Sequence, residues 1–387
     1  MSASLRWLIA LAPVFPPLTS SAFITLRYWR RLGGPARTVI IFFLASQLLA
    51  ALLTPNPLLS LSLAVLRGLF IVSLLLLGVL LRDRVWLRYL LFGAAVVSLM
   101  ALFSSYAAYG PHFYARRLLH PYYTTSALGV TAAIIIWLVL DWERANPWLR
   151  SLLGLLGLAV LMLSGSRGAI LALGAGAMAA ALVGGRSFLM AIGAGVFFLA
   201  ARYVQLWKSG WAAEFHRMFS LNPSGRNEVW RRAWEAFSSH PWGGVGPYQL
   251  GPWLDPNLQS STAWQQLLPT GLYLPAWTSS LRGFWLLAHN VLLHSLAETG
   301  LIGTAGYLAL LVFVGYAVLR ARQPIMAAIY FGMLAMSLVD NPITVPSLFF
   351  AEVFWVAGGM ALAQAGLAVP IEQGLTVDQD QLGPDAL

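Results

Sequence analysis

The sequence predicts an all-α integral membrane protein, a polytopic bundle of about 11–12 transmembrane helices with one large extracytoplasmic helical loop. Of its 387 residues, 59% are hydrophobic and only 10% are charged. Several apolar stretches reach the ~20 residues that a helix needs to cross the ~30 Å hydrocarbon core of a bilayer. The chain has no cysteine, so disulfides and thiolate metal sites are excluded.

Hydropathy predicts about eleven membrane spans. They lie near residues 5–24, 38–54, 58–81, 85–103, 123–140, 148–163, 168–184, 187–206, 301–319, 324–340 and 344–366. Three prolines interrupt the first span, which makes it the weakest. A cleaved signal peptide is the alternative for that stretch. The arginine cluster from Arg27 to Arg37 favours a retained span, because such a cluster stays in the cytoplasm.

Arginines in the short loops set the orientation of the bundle. Those between spans three and four, five and six, seven and eight, and nine and ten fall on one side, which the positive-inside rule makes cytoplasmic. They are Arg82, Arg84, Arg88, Arg144, Arg150, Arg186, Arg320 and Arg322. The amino terminus then lies outside and the acidic carboxyl tail lies inside.

This topology divides the chain into four parts. Residues 1–206 form an N-terminal membrane bundle of about eight spans, and residues 287–366 form a C-terminal bundle of about three. Between them lies a large outer loop, 207–286, which is too long for a simple connector and is rich in tryptophan. Residues 367–387 are polar and are predicted to be a disordered cytoplasmic tail.

The net charge of +10 indicates contact with anionic lipid headgroups or anionic substrates. Nucleic acid is a less favoured partner, because the basic residues are not gathered in one soluble domain. On the outer side, Arg116, Arg117, Arg167 and the arginines of the large loop oppose the orientation signal. Pairing with headgroups or nearby carboxylates is one explanation for them, and binding of an anionic substrate is the other.

Within the large loop, residues 226–238 are predicted to form an amphipathic helix. Its apolar stripe consists of Val229, Trp230, Ala233, Trp234 and Phe237. Its other face carries Glu228, Arg231, Arg232 and Glu235, whose four-residue spacing is explained by ordinary surface pairing. Arg226 is different, because a cation in the first turn opposes the helix dipole. We therefore expect Arg226 to serve a partner outside its own helix.

The stretch Ser164-Gly165-Ser166-Arg167-Gly168 lies where span six ends and span seven begins. Ser166 is a candidate N-cap, and Arg167 would stand in the first turn of the following helix. The unpaired N–H groups, the helix dipole and a guanidinium together favour an anion such as phosphate. The alternative is an arginine that only marks the membrane boundary.

His289-Asn290 stands at the start of an apolar helix. A histidine there is commonly a packing or capping residue, but near neutral pH it can also take a proton from a sugar hydroxyl or hold a phosphate oxygen. His294 and Glu298 are four residues apart and are predicted to pair. Asp340 closes span ten on the outer side, where it is a candidate to orient an arginine, to accept a proton or simply to cap a turn.

Two charges, Arg67 and Glu352, fall inside predicted spans. A lone charge in lipid is costly, so each is expected to face the bundle or a wet cavity. Their pairing with each other is a hypothesis. The stretch 240–247, His-Pro-Trp-Gly-Gly-Val-Gly-Pro, is predicted to be a turn.

Three of these stretches together resemble the O-antigen ligase and polymerase superfamily of bacterial envelope glycosyltransferases. They are Leu163–Ala169 (LSGSRGA), Gly225–Gly246 (GRNEVWRRAWEAFSSHPWGGVG) and Ala288–Gly303 (AHNVLLHSLAETGLIG). Their order, spacing and placement relative to the spans agree with the family. Arg116-Arg117 before His120-Pro121-Tyr122 resembles an arginine-containing family loop more weakly. Family members commonly have about twelve spans with both termini inside, whereas this chain is predicted to have about eleven.

The resemblance implies a metal-independent transferase without a cofactor, active at the periplasmic face of the inner membrane. Its donor would be a glycan on undecaprenyl diphosphate, and its acceptor a sugar hydroxyl, as on lipid A–core. Arg167 and Arg226 would bind the diphosphate and stabilise the leaving group, and His289 would orient or deprotonate the acceptor. The further substrate-binding candidates are Arg116, Arg117, Ser166, Asn290 and Asp340.

Other functions remain open at this point. A polymerase that joins repeat units needs the same donor site as a ligase, and the sequence does not separate the two. The related cell-wall polymerases usually carry an aspartate where this chain has Asn290, so they rank lower. A lipid-linked glycan transporter or flippase would suit the many spans and intramembrane charges. Against it, the two halves show no internal repeat, and the charged motifs concentrate on one side.

Overall fold

The computed structural model describes residues 3–81, 85–142, 146–189, 226–255, 283, 286–345 and 351–369. The helices of this part are α1 Ala3–Leu11, α2 Gly34–Leu52, α3 Pro57–Leu80, α4 Val85–Tyr109, α5 Thr125–Asp141, α6 Pro147–Ser164, α7 Arg167–Leu182, α8 Arg226–Ser239, α9 Gly251–Leu254, α10 Val291–Ala321, α11 Pro324–Met336 and α12 Ala351–Gln364. Three 3₁₀ segments join them, at Pro16–Arg31, Gly110–Ala115 and Arg186–Phe188.

Five helical stretches are long and apolar enough to cross a membrane: Gly34–Leu52, Pro57–Leu80, Val85–Ala115, Pro147–Ser164 and Val291–Ala321. Three shorter apolar helices, α5, α7 and α11, pack among them. These observations confirm the predicted class, an all-α polytopic membrane protein. The predicted eighth span runs almost entirely outside the described residues, as do most of the large loop and the carboxyl tail.

The first predicted span, 5–24, is not one continuous helix. Helix α1 ends at Leu11, and a 3₁₀ segment starts at Pro16. Proline lacks an N–H group and its ring clashes with the preceding turn, so three prolines in five residues interrupt the α-helix. The 3₁₀ segment still packs on α3, where the Thr25 hydroxyl donates a hydrogen bond of 2.7 Å to the Ser73 carbonyl.

Helix α10 is broken near its start, at Gly300, whose φ is 57° and ψ is −164°. In an unbroken helix the N–H groups of Leu301 and Ile302 would donate to the carbonyls four residues earlier. Here Leu301 N donates to the Pro241 carbonyl (2.8 Å) and Ile302 N to the Trp242 carbonyl (3.3 Å). The helix carbonyls released by the break are bonded from the same loop: Val245 N donates to Ala297 O and Gly246 N to Glu298 O, each at 2.9 Å.

The loop 241–246 is therefore inserted into the break in α10, and we call it the inserted loop. Its glycines are sterically required. Gly244 has a φ of 70°, and a Cβ there would lie 2.3 Å from the backbone carbon of Glu298. A Cβ on Gly300 would lie 2.3 Å from the backbone carbon of Trp242. The turn predicted from composition thus has a second role, because it satisfies the backbone of another helix.

The proposed pairing of Arg67 with Glu352 is wrong. Arg67 Nη1 instead lies 2.5 Å from Glu298 Oε2, with side-chain exposures of 11% and 1%. Glu352 lines a separate, mainly apolar cavity between α1, α3 and α12, together with Tyr123. The sequence correctly places both charges inside the protein, but it holds no information on which helices face each other.

We expect Gly244→Ala to unseat the inserted loop, because the new Cβ meets backbone and the left-handed conformation costs about 1–2 kcal/mol. Limited proteolysis of the purified protein should cut segment 226–255 faster than in the wild type. Gly174→Ala is the matched control, since a Cβ there meets nothing within 4 Å. Equal cleavage rates in both variants would contradict the insertion.

Candidate active site

Asp340 lies at the centre of the candidate site, in the turn that follows α11. Its side chain is only 1% exposed. One carboxylate oxygen, Oδ1, accepts from the Nδ1 of His289 and from the backbone N–H of Asn341, both at 3.0 Å. Ser126, in the first turn of α5, also donates a side-chain hydrogen bond to this carboxyl. Three separate segments of the chain therefore meet at one buried carboxylate.

The Asp340 carboxyl is held in its charged form. Burial by itself would raise its pKa. The hydrogen bonds from His289, Ser126 and the backbone oppose burial and hold the pKa of this carboxyl below its usual value. Asp340 is consequently an anion at neutral pH, and it stabilises positive charge on the groups beside it.

His289 precedes the first turn of α10 and has a φ of 50°, which is uncommon for a residue with a side chain. The next residue fixes this geometry. Asn290 is the N-cap of α10, where its side-chain oxygen accepts from Leu293 N at 2.9 Å, while its amide donates to the Leu338 carbonyl at 3.0 Å. His289 is thereby held against Asp340, although its side chain remains 41% exposed.

Because His289 donates from Nδ1 to a carboxylate, the neutral ring carries its lone pair on Nε2. This is the arrangement of a histidine general base, in which the carboxylate selects the tautomer and stabilises the protonated ring. The 41% exposure of the side chain gives a reactant access to it.

Arg226 is the first residue of α8, and its Nη2 lies 4.0 Å from Asp340 Oδ2. The distance is within ionic attraction but beyond a hydrogen bond, so this contact uses none of the arginine's donors. Helix α8 is held in place by a small apolar cluster of its own. The buried members are Ala233, Ala236, Val245, Leu250, Leu254, Ala288 and Ala297. This cluster joins α8 to the inserted loop and to the first turns of α10.

The remaining arginines of α8 have local partners. Arg231 pairs with Glu228 and Glu235, and Arg232 Nε lies 2.7 Å from Glu228 Oε1. Hydrogen bonds from Arg231 and Arg232 lower the pKa of Glu228 to about 2. The predicted surface pairs are thus present, and Arg226 is directed to a partner outside its helix, as expected from its position.

Arg167 begins α7, and Ser166 is the N-cap before it, as predicted. Gly165 ends α6 with a φ of 61°, and the Ser166 hydroxyl caps α7 by accepting from Ala169 N at 3.3 Å. A Cβ on Gly168 would lie 3.2 Å from Met336 Cγ. The first turn of α7 therefore packs against the end of α11, only a few residues before Asp340.

Arg116 and Arg117 lie in the loop that follows α4. Arg116 is exposed, and its guanidinium carbon stands 6.0 Å from the centre of the Tyr109 ring. The N–H of Leu118 donates to the Leu163 carbonyl at 3.3 Å, which ties this loop to the end of α6. The two arginines consequently lie at the end of the bundle where Arg167 begins α7.

The structure brings Arg226, His289 and Asp340 into contact and places Arg167 on an adjacent helix. Ser166 and Asn290 act as helix caps, so their role as substrate ligands stays a prediction, as does that of Arg116 and Arg117. Sequence reasoning missed Ser126. It lies beside the Thr124 N-cap of α5 in a Thr-Thr-Ser stretch, where nothing distinguishes it from an ordinary residue of a helix start.

A small cavity lies below the site, between α2, α3 and α10. Its polar lining consists of Gln47, Arg67, His294, Ser295, Tyr307 and Thr344. Its volume of about 30 Å³ exceeds the ~10–15 Å³ that one water molecule needs. Val291 and Ile343 also line the cavity. They are two and three residues away in sequence from His289 and Asp340.

Comparison with known proteins agrees with the motifs. A family model described as O-antigen ligase matches residues 152–308. This interval includes Arg167, Arg226 and His289, whereas Asp340 lies beyond it. No curated protein matches the sequence. The match over residues 152–308 confirms the resemblance of this multi-pass membrane protein to the O-antigen ligase and polymerase superfamily.

Proposed function

We propose that this protein is an O-antigen ligase-type glycosyltransferase. It moves a glycan from undecaprenyl diphosphate to a sugar hydroxyl of a lipid A–core type acceptor. The family match supports glycosyltransferase activity in O-antigen assembly. The observation that carries the specific proposal is the contact of His289 and Arg226 with the two oxygens of Asp340. A general base and a fixed cation stand together there, as a transfer between a hydroxyl and a diphosphate donor requires.

In the proposed reaction, the acceptor oxygen attacks the anomeric carbon of the donor glycan and forms the new glycosidic bond. The bond between that carbon and the diphosphate oxygen breaks, and the diphosphate leaves with the electron pair. The acceptor proton passes to Nε2 of His289. Asp340 stabilises the resulting imidazolium without itself being protonated.

Negative charge grows on the diphosphate as it leaves. Arg226 and Arg167 are the candidates to stabilise it, because a guanidinium offers two parallel donors to phosphate oxygens. Attraction to Asp340 positions Arg226 at 4.0 Å without consuming a donor. At Arg167, the positive end of the α7 dipole adds to the fixed charge of the guanidinium.

We place the site at the periplasmic face of the inner membrane. Helix α10 begins beside His289 and carries Arg320 in its last turn, and α7 begins at Arg167 and is followed by Arg186. The arginines of these short loops are thus at the helix ends remote from the site. The positive-inside rule makes that end cytoplasmic and the site end periplasmic.

The test is transfer by the purified protein, reconstituted with glycan-bearing undecaprenyl diphosphate and lipid A–core. We expect capped lipid A–core without any ion gradient. Elongation of the lipid-linked glycan instead would identify a polymerase. Movement of the donor across the bilayer without exchange of a glycosidic bond would identify a transporter and reject the proposal.

Arg226→Ala and Arg167→Ala should each lower kcat by about 10²–10³-fold, the usual effect of removing one charge-stabilising group from a transition state. Lysine at either position should restore little, since it lacks the planar fork. Initial transfer rates check this. Arg231→Ala is the control on the same helix, and its activity should stay near that of the wild type.

His289→Ala should lower kcat by about 10²–10⁴-fold with little change in the KM for the donor, because proton transfer is lost while the anion site remains. Asp340→Asn should lower kcat as well, since an amide neither stabilises the imidazolium nor selects the same tautomer. Measuring kcat and the donor KM of both variants by steady-state kinetics tests the roles of His289 and Asp340. Full activity of His289→Ala would remove this residue from the mechanism and leave the arginine site standing.

A further inference from the structure

Arg67 and Glu298 form an ion pair inside the membrane bundle, and the proposed reaction does not use it. Arg67 lies ten residues into α3, or ~15 Å along the helix axis. Its guanidinium meets Glu298 Oε2 at 2.5 Å, and the two side chains are 11% and 1% exposed. Buried ion pairs at best offset their own desolvation, so stability alone gives little reason to place one here.

The second oxygen of Glu298 has different neighbours. Glu298 Oε1 accepts from the backbone N–H of Tyr248 at 2.7 Å and lies 3.4 Å from Nε2 of the buried His294. Tyr248 follows the inserted loop closely and has a φ of 60°, a left-handed conformation that is strained for a residue with a side chain. The Glu298 carboxylate therefore holds a strained residue beside the loop that fills the break in α10.

Arg67, Glu298 and Tyr248 form a junction, and other contacts extend it to the rest of the bundle. Arg67 Nη2 donates to Gln47 Oε1 at 3.3 Å, and Gln47 Nε2 donates to the Gly303 carbonyl at 2.7 Å. The Tyr248 hydroxyl donates to the Val345 carbonyl. Val345 is five residues beyond Asp340, so Tyr248 contacts the segment that carries the central carboxylate of the site.

This junction lies between the two parts of the candidate site, which are Arg226 on one side and His289 on the other. Arg226 belongs to α8, which leads directly into the inserted loop. His289 precedes the part of α10 before the break, which ends at Glu298 and Thr299. The distance between the guanidinium and the imidazole therefore depends on how the loop is seated at Glu298.

We propose that Glu298 is a positioning residue for glycan transfer. Its hydrogen bond to the Tyr248 N–H seats the inserted loop and so holds Arg226 against the His289–Asp340 pair. Arg67 neutralises the carboxylate within the apolar bundle and ties it to α3. This inference rests on the proposed function for its kinetic consequence, but the positional claim itself is independent of activity.

Two double variants separate the hydrogen bond from the charge. Arg67→Met with Glu298→Gln removes both charges but leaves an amide oxygen to accept from Tyr248 N. Arg67→Met with Glu298→Met removes both charges and the acceptor, while the unbranched methionine keeps a similar shape. Neither variant leaves one charge of this buried pair without its partner, which would itself destabilise the protein strongly.

The position of α8 can be measured directly, because the chain contains no cysteine. Spin labels on Ser238→Cys in α8 and Leu338→Cys beside Asp340 report the distance between the two parts of the site. Both positions are exposed, and Leu338 is 63% exposed. Distance distributions are recorded by pulsed electron–electron double resonance on the full chain in lipid nanodiscs. Kinetics are measured on the unlabelled variants.

We expect the glutamine variant to keep the narrow wild-type distance distribution and a kcat within about tenfold. The methionine variant should show a broadened distribution and a kcat lower by about 10²-fold, with the donor KM changed much less. Glu298→Asp keeps the charge pair with Arg67 but is one methylene shorter. Its distance distribution and its kcat should lie between those of the glutamine and methionine variants. It serves as the second variant should the methionine protein fail to fold.

A wild-type distance distribution in the methionine variant would overturn the proposal. Equal broadening in the glutamine and methionine variants would also overturn it, because the charge and not the hydrogen bond would then be the positioning element. If the distances behave as expected but the wild type transfers no glycan, the function is wrong and the positioning role stands.

Discussion

The insertion of residues 241–246 into the break of α10 is the constraint on which the candidate site depends. A membrane helix cannot leave backbone groups unpaired inside a bundle, so a break needs partners supplied from elsewhere. The inserted loop supplies hydrogen-bond partners on both sides of Gly300. A segment outside the membrane helices thereby becomes part of one, and Arg226 is fixed relative to His289.

Asp340 adds an electrostatic constraint to the one set by the inserted loop. A buried carboxylate is costly unless it is paired, and the surrounding segments supply the partners. Because it interacts with both a histidine and an arginine, a single anion orders the two side chains that we propose as proton acceptor and phosphate-binding cation. The same group fits the membrane setting, since its charge compensates for the positive charges gathered around it.

The ion pairs of Asp340 and Glu298 differ in their exposure and are connected through Tyr248. Asp340 faces a partly exposed histidine, whereas Glu298 faces a buried arginine. Tyr248 connects them, since its N–H bonds to Glu298 and its hydroxyl bonds to Val345 near Asp340. Polar groups that would be costly as isolated residues in a membrane bundle thus form one connected set.

Much of the local structure follows from the sequence alone. The helix predicted at 226–238 is observed at Arg226–Ser239, and Ser166 and His289–Asn290 stand at helix starts as predicted. These features depend on periodicity, capping and hydropathy, which act over a few residues. The prolines near the amino terminus were recognised as interruptions, but the 3₁₀ conformation that follows them was not predicted.

Only the tertiary structure decided the partners. His289 and Asp340 are 51 residues apart, and Arg67 and Glu298 are 231 apart. The energy of such contacts depends on which helices face each other, and hydropathy is the same for a correct and an incorrect neighbour. Arg67 was consequently assigned the wrong partner. The sequence by itself determined which segments are helices and where charges are costly, and the packing of those helices decided how each charge is compensated.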